Sequence, residues 1–62
     1  MKQLSEAEIK KIARAEYQGL KESYPSLTLD FVEQKVRDVL AGKVEGVIAM
    51  FIKGDLEEAN ML

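Results

Sequence analysis

A chain of 62 residues forms at most one domain and lies near the lower size at which a polypeptide folds without disulfides or metals. With 47% hydrophobic and 32% charged residues it is too apolar for a disordered tail, and with neither cysteine nor histidine it has no disulfide framework and none of the usual zinc, iron or copper ligands. A net charge of −2 and a pI near 5.0 argue against a nucleic-acid domain, which normally carries a basic excess, although a local basic face remains open.

The N-terminal MKQLSEAEIKK contains no apolar run of signal-peptide type, and no segment approaches the ~20 apolar residues needed to span a bilayer. A cytoplasmic protein without membrane association is the expectation. The helical signals begin at Ser5, where Ser5-Glu6-Ala7-Glu8 has the form of a capping box. Ile9, Ala13, Leu20 and Tyr24 then recur at helical spacing, with Ile12 and Tyr17 at the borders of the stripe. Pro25 disfavours helical geometry at Tyr24, so the first helix is expected over about 6–23. Gly19 inside it costs about 1 kcal/mol relative to alanine, which is either tolerated or marks a close backbone approach.

Thr28 is a candidate N-cap, with Asp30 in the first turn and Leu27 and Val32 at the positions of a hydrophobic staple. Leu29, Val32, Val36, Val39 and Leu40 form an apolar stripe, and Glu33 and Arg37 are spaced for an ion pair on the outside. This second helix is expected over about 29–41, stopped by Gly42 in a left-handed conformation.

The most apolar stretch follows, GVIAMFIKG at 46–54. Val44, Val47, Ile48, Phe51 and Ile52 match an amphipathic helix, whereas a strand here finds no partner in the chain. A third helix over about 44–53 is therefore expected, with Phe51 in its core stripe. It is apolar almost all round, apart from a narrow strip at Gly46, Ala49 and Lys53, of which Gly46 and Ala49 are small enough to let another helix approach, within the domain or across a dimer. Gly54 is read as its stop, and Asp55-Leu56-Glu57-Glu58 as the cap of a short fourth helix over about 56–61. The expected fold is all-α, a three-helix bundle with a short fourth C-terminal helix, in one domain spanning 1–62. The first, second and fourth helices should surround the third.

Catalysis finds little support. Ser5, Ser23, Ser26 and Thr28 sit where caps and turns need them, no glycine-rich phosphate loop is present, and a chain this short leaves little room for a substrate pocket. The carboxylates do not follow the spacing of a calcium loop. No enzyme activity, metal, cofactor or small-molecule substrate is expected. Glu16 lies toward the apolar side of the first helix, and is expected to reach water or a basic side chain at the margin; the alternative is a buried carboxylate that fixes helix register or meets a partner's Arg or Lys.

Two surfaces remain. Lys10, Arg14, Tyr17 and Lys21 lie within about 40° of one another on the first helix, a possible phosphate or nucleic-acid face, or a solvated face on which Glu6 pairs with Lys10. A helix-turn-helix through Ala41-Gly42-Lys43 is weakly supported, because the third helix offers mainly Glu45 and Lys53 to a groove. The second surface consists of apolar residues without an obvious home: Phe31, about 130° from the centre of its helix's stripe, Met50, Ile52, Met61 and Leu62. These are the candidate partner-binding residues. The function expected is a non-catalytic protein-interaction or regulatory module, a homodimer or the accessory of another protein; the alternative is a nucleic-acid-binding regulator using the basic face.

Overall fold

Ser5 begins the first helix as its capping box requires: its hydroxyl accepts from the Glu8 N–H at 3.2 Å, and the Glu8 carboxylate accepts from the Ser5 N–H at 3.0 Å. The computed structural model describes residues 4–62; residues 1–3, the start of the expected domain, lie outside the described residues. The three helices are α1 (Glu6–Leu20), α2 (Leu29–Leu40) and α3 (Gly46–Glu58), and no strand occurs among the described residues. The Cα radius of gyration, 10.6 Å, matches the ~11 Å of a compact chain of this length.

The helix borders follow cap chemistry. The Thr28 hydroxyl accepts from the Phe31 N–H at 3.2 Å and opens α2. Gly42, at φ 88°, closes it: the Lys43 N–H donates to the Asp38 carbonyl and the Gly42 N–H to that of Val39, the paired bonds of a Schellman stop. Helix α1 ends at Leu20, earlier than the expected 23, and the chain turns before Pro25. Gly19 has nothing within 4 Å of where a Cβ would stand, so its cost is simply tolerated.

The C-terminal expectation was wrong. The expected fourth helix does not form among the described residues, because α3 runs without a break through Gly54 and Asp55 to Glu58. Gly54 does not adopt the left-handed conformation that would have stopped the helix, and the Asp55 carbonyl accepts the Ala59 N–H at 3.1 Å as an interior residue does. Packing explains the outcome. A continuous helix carries Leu56 onto the same buried face as Ala49 and Ile52, and that burial outweighs the roughly 1 kcal/mol cost of an interior glycine. The stop lies at Asn60, φ 59°, where Met61 donates to the Leu56 carbonyl and Asn60 to that of Glu57. The start is also displaced, from 44 to Gly46, which has φ 88°.

The core consists of Ile9 and Ala13 from α1, Val32, Val36 and Val39 from α2, and Ala49, Ile52 and Leu56 from α3. Helix α2 packs against both others, while α1 and α3 touch only lightly. The expectation of a central third helix is thereby corrected, since α2 is the middle element and α3 is covered on one side. Arg37 ties the first two helices together from outside. Its Nη1 and Nη2 donate to the two Glu6 oxygens at 2.7 and 2.6 Å, and Nη2 also donates to Glu33 at 2.8 Å. The expected Glu33–Arg37 pair is present, but Glu6 turns its hydrogen bonds across to α2 instead of along its own helix to Lys10. These bonds from Arg37 hold the Glu6 carboxyl below the usual carboxylate range and raise the already high guanidinium pKa.

Candidate functional site

Which face of α3 turns inward decides what the molecule can present to others. Ala49, Ile52 and Leu56 lie on one side of the helix, at i, i+3 and i+7, and all three are buried. The expected core stripe through Val47 and Phe51 is therefore rotated outward. Val47 is exposed and Phe51 is 49% exposed, with Met50 at 64% the most open of the large apolar residues. The rotation has a steric cause: Ala49, fully buried, lets the helix come close to its neighbours where a larger side chain would hold it off. Of the expected strip only Ala49 is packed; Gly46 is exposed with nothing within 4 Å of it, and Lys53 is exposed as well.

The five candidate partner-binding residues separate into four places. Ile52, at 0% exposure, belongs to the core and offers nothing to a partner. Phe31, 46% exposed, borders a shallow groove of about 290 Å³ formed with Tyr24, Leu27 and Ile48. The Lys35 ammonium stands 5.4 Å from the Phe31 ring centroid and donates to the Glu45 carbonyl at 3.4 Å, so it holds one side of that ring. Phe51 leans toward the same region, its ring centroid 6.4 Å from that of Tyr24 at a tilt of 57°. Met50 lies beyond it on the outer side of α3. Met61 and Leu62 line a larger cleft of about 740 Å³ at the other end, between Val39, Leu40 and Val44 on one side and Lys53 on the other. Met61 packs partly against the core while Leu62 is exposed.

Sequence reasoning missed Val47 and Phe51 as surface residues and the half-buried Tyr24 as part of the groove. The signal that identifies the two α3 residues is the alanine at position 49: once it is assigned to the packed side, the opposite side carries Val47, Met50, Phe51 and Gly54.

Helix α1 places Lys10 and Arg14 at the surface and Tyr17 partly against the core, with Lys21, the residue that caps its C-terminus, also exposed. Lys21 stands 5.9 Å from the centroid of the Tyr17 ring. A ring packed on the core and approached by its own lysine presents little free face for a base to stack on.

Glu16 meets neither water alone nor a basic residue. It is half-buried and faces Asp55 of α3, where burial, then the hydrogen bond and charge of Asp55, push its pKa up to about 7. Neither groove described above is lined by this pair. No group of three or more His, Cys, Asp or Glu able to hold a metal ion occurs among the described residues. No helix among them is long and apolar enough to cross a membrane.

No protein-family model matches the chain, and comparison with curated proteins and with solved structures gives no match. The described residues define a class: a small all-helical protein with three helices, whose third helix leaves one apolar side uncovered.

Proposed function

We propose that this chain is a non-catalytic protein-interaction or regulatory module that docks another protein surface onto the outer side of α3, with Phe31 and its groove at the edge. The observation that supports this reading is the contiguous exposure of Val47, Met50 and Phe51 beside the apolar groove of Tyr24, Phe31 and Ile48. Isolated exposed apolar residues are normal on any protein, but a connected group on one helix side is typical of an interface. The bound state removes this surface from water.

A photo-crosslinking phenylalanine analogue placed at Met50 tests the reading in intact cells. A discrete adduct from position 50, with none from the same group at the exposed Lys11 of α1, is the expected result. No adduct from position 50, or equal labelling from both positions, removes the docking surface.

A further inference from the structure

We infer that the surface which covers the outer side of α3 is α3 of a second copy, packed antiparallel about a twofold axis through the middle of the Val47, Met50, Phe51, Gly54 stripe. This rests on the docking reading above and names its occupant. Two features support it. The first is shape. Reversing the stripe about its midpoint sets Val47 against Gly54 of the other copy and Met50 against Phe51, each contact occurring twice as an isologous interface requires. Gly54 has no Cβ and nothing within 4 Å of where one would stand, so it leaves a hollow for the opposing valine.

The second feature is charge. Helix α1 begins with a capping serine and Glu6 and Glu8, and α2 with a capping threonine and Asp30. Helix α3 has no side-chain cap bond at Glu45 and no acid in its first turn, and its last turn carries no base. It ends instead on Glu57 and Glu58, which oppose the negative end of the helix dipole. Lys53 lies 3.8 Å from Glu57, whereas Glu58 and Lys43 are exposed and in no ion pair among the described residues. Each end therefore lacks what the other has. Antiparallel pairing brings Glu58 of each copy toward Lys43 of the other and toward an α3 first turn that has no acid of its own beyond the N-cap Glu45, whose side chain makes no cap bond. Parallel pairing would put acid beside acid.

A helix of 13 residues is about 20 Å long, so the contact falls at the small end of specific interfaces, and dissociation near 100 µM is the order of magnitude expected. Sedimentation equilibrium of the full chain between roughly 10 µM and 2 mM is the test, chosen to span that constant. The expected mass rises from 7.0 kDa to twice that value and no further, because a twofold contact closes. Gly54→Gln fills the hollow with a better helix former and should weaken the dimer at least about tenfold. Gly19→Gln on α1, where the space is equally open, leaves association unchanged. Lys43→Glu and Glu58→Lys each weaken association several-fold, and together they restore it to within about twofold.

A chain that stays monomeric to 2 mM overturns the second copy as occupant. So does growth beyond the dimer, a dimer indifferent to Gly54→Gln, or a charge pair that does not rescue. These failures differ from failure of the docking surface: a monomer whose position-50 crosslink has another mass keeps the surface and removes only the second copy.

Discussion

The Glu16–Asp55 pair gives the chain a pH dependence opposite in sign to that of its ion pairs. The ordinary carboxylate value is 4.5, and in the folded protein Glu16 is raised to about 7, first by burial and then by Asp55. Between those two values the folded chain holds a proton that the unfolded chain has released, so stability falls as pH rises through the window and levels off above it. Undiminished, a shift from 4.5 to about 7 corresponds to about 3 kcal/mol; Glu16 is more than a third exposed, and solvent screening reduces this to about 1 kcal/mol. Glu6 acts the other way and elsewhere: hydrogen bonding from Arg37 lowers its pKa, so its contribution is present above the ordinary value and lost as pH falls below it. The two windows do not overlap. Urea unfolding at pH 5, 6, 7 and 8 should show the midpoint falling by about 1 M in the wild type, given a slope near 1 kcal/mol/M for a chain this small. Glu16→Gln, which cannot ionise and can donate to Asp55, should show a flat midpoint over the same range and exceed the wild type at pH 8. A wild-type midpoint that is level or rising between pH 5 and 7 refutes the reasoning, as does a fall that persists in Glu16→Gln.

The inward side of α3 is tested by a pair of truncations on adjacent residues. Ile52→Ala, at a fully buried position, should cost about 2–5 kcal/mol in urea unfolding, whereas Phe51→Ala, half in water already, should cost about 1 kcal/mol. Equal costs mean that the helix is turned differently. The glycines separate in the same way. Gly42→Ala forces a side chain into a left-handed turn at φ 88° and should cost about 1–2 kcal/mol, whereas Gly54→Ala, helical and unobstructed, should raise stability by up to about 1 kcal/mol. A loss at Gly54 would mean that the helix breaks there after all.

The elements were legible wherever the local chemistry had one outcome. Ser5 with Glu8, Thr28 and Gly42 each specify a border by a hydrogen bond or a dihedral that few other residues supply, and each border formed. Gly54-Asp55 was not legible, because the same dipeptide serves as a stop and cap or as two interior residues, and the choice depends on whether Leu56 reaches the core. That is a tertiary fact. The candidate surface shows the same limit. Periodicity finds an apolar stripe by counting large side chains, and on a helix apolar nearly all round several stripes fit. Close packing chose the one that contains Ala49, which turned Ile52 inward and Phe51 outward. The partner of Glu16 was out of reach for a related reason: Asp55 lies 39 positions away and faces it only because α3 is continuous.

The unusual features of α3 weigh most when taken together. An N-terminus without a side-chain cap forgoes about 1 kcal/mol, and an interior glycine about as much again, in a chain whose total stability is on the order of 5 kcal/mol. The same sequence supplies caps and first-turn acids to α1 and α2, so it does not lack the means. Three of the four α3 features, the glycine, the outer apolar residues and the terminal acids, lie on or next to one side of the helix, and the fourth, the uncapped N-terminus, is at the end that side leads to. As properties of an isolated helix they are independent defects. A second helix laid against that side changes the sign of each: the glycine becomes room for a side chain, the apolar residues leave water, and the acids gain a positive end. The coincidence of three of these on one side, with the fourth at the helix end, is what argues for a second helix there, and the response to Gly54→Gln is the most direct measure of it.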